Sequence, residues 1–191
     1  MMQIPYVSDW PVGEARDRRV NEPVEGAIVH SMAEWIILPD GKKSFAPAFL
    51  TSLNLEVHGI IATTGTVVEW IPPTKIADHA GESEFGGRTM LNKYFLGCEF
   101  LVSGAHTYAT FLEAIKQPDC YTQQQYRSGG YWYASKTIAY PTITKATIVA
   151  HSLVSSDAVR GEGRGKVDPG PGFDWEQLWY WYDKYLIYLK V

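Results

Sequence analysis

The feature that most constrains this chain is the segment Gly165–Trp175, which reads Gly-Lys-Val-Asp-Pro-Gly-Pro-Gly-Phe-Asp-Trp. Each proline fixes its own φ angle and lacks a backbone donor, so such a run belongs neither inside a helix nor in a central strand. The pattern therefore predicts a stiff loop that holds the carboxylate of Asp168 in one place.

Two apolar runs elsewhere in the chain end in a histidine. Glu25–Ser31 reads Glu-Gly-Ala-Ile-Val-His-Ser, and Ala146–His151 reads Ala-Thr-Ile-Val-Ala-His. Each predicts a short buried strand whose C-terminal end delivers a histidine, His30 or His151. Two histidines and a carboxylate that met in space would hold zinc with one position open. A lone histidine on an apolar strand is more often a hydrogen-bonded core residue, so the two strands alone are a weak sign.

The remaining pattern predicts an α/β protein. The 191 residues fit one domain with one core, and residues 1–24, which are polar and rich in proline, predict an irregular arm before a domain of residues 25–191. Strands mixed with helices predict a central mixed β-sheet flanked by helices. The apolar face of the last helix, which is rich in aromatic residues, is interpreted as core packing. The predicted strands are the hairpin Val57–Thr63 with Thr66–Ile71 and the run Phe95–Val102, the predicted helices are Phe45–Asn54, Thr122–Tyr140 and Trp175–Leu189, and Ala80–Gly87 is a predicted loop.

Composition and charge exclude some classes of function. A formal net charge of -4 and the lack of a clustered basic stretch argue against a nucleic-acid partner. No apolar run is as long as a membrane span, and the N-terminus lacks the pattern of a secretory signal, which predicts synthesis in the cytoplasm and no membrane partner. Cys98 and Cys120 have neither metal-binding nor redox spacing, and a disulfide between them is not implied. The oligomeric state stays open.

The order of short motifs along the chain resembles the zinc-dependent N-acetylmuramoyl-L-alanine amidases. That family shares its fold with the peptidoglycan recognition proteins and includes phage endolysins and cytosolic cell-wall recycling amidases. The resemblance runs from Ala27 to Trp175, and its most specific part is the Lys-x-Asp-Pro-Gly-Pro-x-Phe-Asp-Trp stretch that begins at Lys166. His79-Ala80-Gly81 and the Gly-x-Glu motif at Gly97 add to it.

The resemblance implies a role for each candidate residue. It places His30, His151 and Asp168 as zinc ligands, and it makes Glu99 the general base. Lys166 would lie beside the developing oxyanion, where a fixed positive charge is most effective. The residues implied as substrate contacts in the groove, or near it, are His58, His79, Arg88 and Asn92.

Several positions depart from the family pattern. Asp78 stands where tryptophan is common, and Ser31 follows the first histidine. The insertion Ser155–Gly165 predicts a lid or specificity loop, but it could also pull Asp168 away from the metal. His106 matches no family position and is interpreted as a surface residue.

Three functional hypotheses follow from these patterns. The first is an enzyme that hydrolyses the amide bond between the lactyl group of N-acetylmuramic acid and L-alanine. The second is a non-catalytic peptidoglycan-binding module of the same fold, whose relatives typically lack a zinc ligand. The third is a structural zinc protein, which would need four protein ligands where three are well supported. Intact wall, as for a bacteriolytic phage endolysin acting on its host, and released muropeptide both remain open as substrates.

Overall fold

The computed structural model describes residues 6–7 and 15–190. Eleven strands and six helices, with a short 3₁₀ helix at Leu91–Lys93, form this part of the chain. The strands are β1 (Tyr6–Val7), β2 (Arg16–Asp17), β3 (Gly26–Ile37), β4 (Lys43–Phe45), β5 (Gly59–Ile61), β6 (Val67–Glu69), β7 (Lys75–Ile76), β8 (Glu84–Phe85), β9 (Arg88–Thr89), β10 (Phe95–His106) and β11 (Ile148–Ala150). The helices are α1 (Ala46–Ser52), α2 (Tyr108–Ala114), α3 (Gln123–Ala139), α4 (His151–Val154), α5 (Asp157–Arg160) and α6 (Trp175–Leu189).

One mixed sheet organises the domain. Its strand order is β1-β6-β5-β10-β3-β11, and β4 pairs with the far end of β3. The central strand β10 runs parallel to both neighbours, β3 and β5, and β11 runs parallel to β3. The β5–β6 and β3–β4 pairs are antiparallel. The predicted fold class, a single α/β domain with a mixed sheet, is confirmed.

Helices α3 and α6 cover one face of this sheet. Side chains alternate across a strand, so every second residue of β3 and β10, such as Val29 and Phe100, enters this core. Trp132 and Tyr133 of α3 are fully buried there, and Leu178 of α6 packs with them. Trp175, Trp179 and Tyr182 of α6 lie on this core, which confirms the interpretation of the apolar face of α6 as packing.

Two adjacent glycines let α3 fit between the sheet and α6. A Cβ added at Gly129 would stand 2.5 Å from Cζ of Phe100, a ring that rises from β10. A Cβ added at Gly130 would stand 2.5 Å from Cβ of Trp181 and 2.6 Å from the backbone nitrogen of Tyr182. These glycines lower helix propensity, but they permit a close approach of two helices that any larger residue would prevent.

The opposite face of the central strands carries the polar residues. Here β3 presents His30 and Met32, and β10 presents Glu99 and Leu101. Helix α1 packs over the far part of this face through Leu50, in a second apolar cluster. The near part is left to polar side chains, and it forms the floor of the cavity described below.

Several predicted boundaries were wrong. Strand β3 does not end after His30 but continues to Ile37, and its extension pairs with β10 on one side and with β4 at its far end. His151 is not the end of a strand but the first residue of α4. The predicted loop at 80–87 contains one strand of the small β8–β9 hairpin.

The predicted N-terminal arm is only partly irregular, and most of it lies outside the described residues. Within the described part, β1 joins the main sheet beside β6, and β2 pairs with β7. Ala15 is buried in the core cluster under α1, and Arg16 pairs with Glu22 at 2.8 Å. Strand β2 and the buried Ala15 connect this part of the arm to the domain, and the division at residue 24 stays a prediction.

Over the stretches that the structure covers, no helix combines the length and the apolar character that crossing a bilayer requires. Cys98 and Cys120 are both free thiols, and Cys98 is buried in the core.

The glycine pair generates a prediction for stability. Gly130→Ala should lower the free energy of unfolding by about 1–3 kcal/mol, because the new methyl group collides with backbone and Cβ atoms of α6. Helix propensity alone would give the opposite sign. Chemical denaturation measures the change, and Gln123→Ala in the exposed first turn of α3 is the control, expected within about 0.5 kcal/mol of the parent. A more stable Gly130→Ala protein would show that α3 and α6 are not in close contact.

Candidate metal centre and active site

Strand register brings three candidate residues into one row. Glu99 of β10 is the register partner of His30 in β3. On the other side of β3, Ala150 pairs with Val29, so His151, the next residue, lies beside His30. Paired residues on parallel strands point to the same face. The row Glu99, His30, His151 therefore crosses the sheet on one surface.

The Pro-Gly loop adds Asp168 to this row. Its Oδ2 accepts a hydrogen bond from the backbone N–H of Ser31 at 3.3 Å, and its carbonyl accepts one from Ser152 at 2.9 Å. The peptide bond between Asp168 and Pro169 is cis, and the carbonyl of Pro169 accepts a 2.6 Å hydrogen bond from the buried hydroxyl of Tyr121. These three hydrogen bonds hold the carboxylate of Asp168 against the two histidines, as the stiffness of the segment predicted.

Three potential ligand atoms converge at this point. Nδ1 of His30 lies 3.0 Å from Nδ1 of His151, and Nδ1 of His151 lies 3.1 Å from Oδ2 of Asp168. Nδ1 of His30 is 3.6 Å from the same oxygen. All three residues are buried. The sequence-predicted ligand set is thus assembled by the fold.

The hydrogen bonds of the Nε2 atoms of His30 and His151 determine which ring nitrogen carries the proton and which carries a lone pair. Nε2 of His151 lies 3.3 Å from the carbonyl oxygen of Ala80, which can only accept, so that nitrogen carries the proton. Nε2 of His30 is bonded to His79. Nδ1 of each ligand histidine is therefore free to point a lone pair at the other across 3.0 Å. Two facing lone pairs beside a carboxylate repel one another, and a cation between them removes the repulsion. This donor set, two imidazoles and a carboxylate, is one that zinc takes in catalytic sites.

Burial shapes the charge states of the site. It lowers the pKa of His30 to about 4, with the nearby His151 adding to the effect. Burial would raise the pKa of Asp168, but the close approach of His151 and His30 outweighs it and holds that pKa below the ordinary value. The pKa of Glu99 shifts in the opposite direction. Burial raises its pKa well above the usual range, Asp168 raises it further, and Lys166 opposes the shift.

Glu99 is also unusual in its bonding. Its Oε2 is buried and has no hydrogen-bond partner among the described residues. A buried polar atom without a partner costs about 1–3 kcal/mol, so its presence in a native fold needs an explanation. Glu99 lines the same cavity as the ligand set, next to His30 across the strand pair.

A cavity of about 280 Å³ opens over the ligand set. One end holds the three ligands, Glu99 and His79, with Lys166 exposed at the rim. The other end is mainly apolar and lies between α1 and α2. Its walls include Met32, Ile36, Phe49, Leu53, Tyr108 and Phe111. The shape suits an extended ligand whose reacting group lies at the polar end.

Three of the four predicted substrate contacts lie outside the lining of this cavity. His58 is fully buried, its Nδ1 accepts a bond from the N–H of Gly97, and its Nε2 lies 3.1 Å from the carbonyl of Lys75. Arg88 makes a two-pronged ion pair with Glu25. Both groups are already engaged within the protein.

Asn92 is the third of these residues, and it supports a turn. Its Oδ1 accepts hydrogen bonds from the N–H groups of His79 at 3.1 Å and of Ala80 at 2.7 Å. Of the four predicted contacts, only His79 lines the cavity.

The insertion does not displace Asp168. Its two ends meet where the N–H of Lys166 bonds to the carbonyl of Ser155 at 2.8 Å, and Gly165 bonds to the side chain of Asp157 at 2.7 Å. The hydroxyl of Ser155 reaches the carbonyl of Ala80 at 3.1 Å. The insertion therefore closes on itself before the chain enters the Pro-Gly loop. Whether it works as a lid stays a prediction.

Sequence reasoning missed the apolar end of the cavity. His106, interpreted as a surface residue, lines it at the end of β10 and bonds to the carbonyl of Ser103 at 2.9 Å. Met32 and Ile36 continue the face of His30 at even spacing along β3. That alternation was the available signal, and it was hidden because the strand was predicted to stop after His30.

Comparison with known proteins identifies the family. Residues 20–171 match the model of the Amidase_2 family, described as N-acetylmuramoyl-L-alanine amidase. The chain belongs to this family. It is similar to the 1,6-anhydro-N-acetylmuramyl-L-alanine amidase AmpD of Salmonella typhimurium, with 29% identity over 153 residues, which cover 80% of this chain and 70% of that protein. The Escherichia coli protein of the same name is 30% identical over 131 residues, which cover 69% of this amidase and 60% of the relative.

Solved structures share the fold of this amidase. A crystal structure of a selenomethionine AmpD derivative superposes with a TM-score of 0.63 at 23% identity and covers 95% of each chain. AmiD of Escherichia coli, in complex with anhydro-N-acetylmuramic acid-L-Ala-D-γ-Glu-L-Lys, gives a TM-score of 0.58 at 20% identity, covering 83% of this amidase and 57% of AmiD. The resemblance drawn from the sequence, the fold class and the assignment to an amide hydrolase are confirmed.

Proposed function

We propose that this amidase uses zinc to hydrolyse the bond between the muramoyl group and L-alanine in soluble 1,6-anhydro-muropeptides. The observation that carries the metal is the pair of imidazole Nδ1 atoms 3.0 Å apart beside a buried carboxylate. The names of the Salmonella and Escherichia coli relatives support the anhydro substrate. His30, His151 and Asp168 would hold the ion.

Zinc bound there supplies Lewis-acid polarisation of the scissile carbonyl and makes hydroxide available near neutral pH. Glu99, whose free carboxylate oxygen faces no partner, takes the proton from the attacking water and returns it to the departing amine. Burial raises the pKa of Glu99, which makes its carboxylate a stronger base toward the attacking water. The ammonium of Lys166, at the rim, stabilises negative charge on the carbonyl oxygen.

The two other hypotheses are less well supported. A structural zinc site is closed by four protein ligands, and the group found among the described residues has three. A binding module without turnover has no use for a buried carboxylate that lacks a partner. Each is an outcome of the experiments below.

Metal analysis tests the zinc site. The purified protein should hold one zinc per chain, because the fold assembles a single such group in the part of the chain that is described. A strong chelator should abolish hydrolysis of an anhydro-muropeptide, and added zinc should restore it. Full activity in a chelated, zinc-free protein would contradict the proposal.

Glu99→Gln separates proton transfer from metal binding. The amide keeps the shape of the side chain but cannot act as a base, so turnover should fall by about 10²-fold or more while the zinc content is unchanged. Glu113→Gln, the same change on an exposed position of α2, is the control and should keep the parent rate. Parent turnover in Glu99→Gln would mean that another group is the base.

Product analysis identifies the bond and the substrate. Mass spectrometry should find free peptide with a new amino group on L-alanine and an intact anhydro sugar, because the proposed attack is on the amide carbonyl and leaves the sugar uncut. Whole sacculi should be cut more slowly than soluble muropeptides. New reducing sugar ends without new alanine amino groups would contradict amide hydrolysis, and equal rates on sacculi would contradict the soluble substrate.

A further inference from the structure

We infer that His79 is a positioning residue for the metal ligand His30, which it holds in one tautomer and one orientation, and is not a contact for the substrate. This inference rests on the zinc site proposed above. It changes the role that the family resemblance implied for His79, and it identifies the group that supports the ligand from behind.

A chain of two hydrogen bonds joins His30 to the backbone of β10. Nε2 of His30 lies 2.8 Å from Nδ1 of His79, and Nε2 of His79 lies 3.2 Å from the carbonyl oxygen of Phe95. The two rings meet edge to face, with centroids 4.9 Å apart and planes at 88°. Nε2 of His30 and Nδ1 of His79 therefore join two rings whose planes are nearly perpendicular.

The direction of this chain follows from its last member. A carbonyl oxygen can only accept, so Nε2 of His79 donates to Phe95. In a neutral ring this leaves Nδ1 of His79 as an acceptor, and Nε2 of His30 must donate to it. The lone pair of His30 is then on Nδ1, the atom that faces His151 and Asp168. One carbonyl thus determines which nitrogen of His30 is available to a metal.

Two further contacts keep the ring of His79 in place. Its backbone N–H and that of Ala80 are both held by Oδ1 of Asn92. Gly97 gives the ring its space, since a Cβ at that position would lie 2.6 Å from Cγ and Nδ1 of His79. Gly97, the glycine of the Gly-x-Glu motif, therefore makes room for His79, which supports His30. Glu99, the glutamate of the same motif, lies on the side of the reacting groups.

Other roles for His79 fit the contacts less well. It cannot be a ligand of an ion held by the Nδ1 atoms, because it is bonded to the opposite nitrogen, Nε2, of His30. Both of its ring nitrogens are already engaged, so neither is left for a hydrogen bond to substrate. Partners that orient a metal-binding histidine in this way typically change metal affinity by about 10–100-fold when they are removed.

Metal affinity, measured by competition with a chromophoric zinc chelator, tests the inference without reference to activity. His79→Leu removes the acceptor and should weaken zinc binding by about 10–100-fold. His79→Asn places an amide oxygen near the position of Nδ1 and should recover most of the affinity. His106→Leu is the matched control, because His106 lines the same cavity but bonds to Ser103, and its zinc affinity should equal that of the parent.

Histidine ¹⁵N NMR of the parent zinc protein provides a second test that does not depend on a variant folding. His30 and His79 should both be protonated on Nε2, and Nδ1 of His30 should carry the metal. A proton on Nδ1 of His79, or equal zinc affinity in His79→Leu and the parent, would overturn the positioning role and leave the zinc site standing. A parent protein that binds no zinc would instead overturn the proposed function itself.

Discussion

The parallel pairing of β10, β3 and β11 is the constraint on which the site depends. It places Glu99, His30 and His151 side by side on one face of the sheet. A slip of one residue in either pairing would turn a member of the row to the other face, where α3 and α6 lie. The apolar residues between them, Val29 and Cys98, anchor the register by filling the core. Core packing and chemistry are thus specified by the same alternation.

The polar face of the sheet contains two buried arrangements that destabilise the fold but serve the reactive centre. Two imidazoles are buried with facing lone pairs, and the carboxylate of Glu99 is buried with an oxygen that no protein group satisfies. Each arrangement opposes folding by itself. A cation at the ligand set would reverse the first penalty, so binding it and stabilising the fold are linked. The second penalty is retained, because a carboxylate with a full set of partners would be a poorer base.

The sequence predicted the parts of the site that depend on local stiffness and strand pattern. The Pro-Gly loop does hold Asp168 in place, and the two apolar runs do bring His30 and His151 to it. The prediction of strand ends was less accurate, since the continuation of β3 pairs with β4 and with a part of β10 beyond its predicted end at Val102, and the sequence reveals neither pairing. The roles of His58, Arg88 and Asn92 as substrate contacts stay predictions, and in the structure all three side chains bond to other groups of the protein. Whether a polar side chain faces a cavity or satisfies a nearby backbone group depends on contacts between residues far apart in sequence, such as those of His58 with Gly97 and Lys75.

The self-closed insertion has a consequence for how such a domain can diversify. Because Ser155 and Lys166 are joined by a backbone hydrogen bond, the eleven-residue excursion begins and ends at nearly the same point. The entropy of closing a flexible loop grows only with the logarithm of its length, so residues can be added to or removed from this stretch at small cost. Ser155 is the fixed end of this stretch, because its buried hydroxyl bonds to the carbonyl oxygens of Ala80 and Glu82, and His151 also lies beside the Ala80 carbonyl. Changes in length therefore fit best in the exposed turn at residues 161–164, where the backbone bond between Ser155 and Lys166 separates them from Asp168.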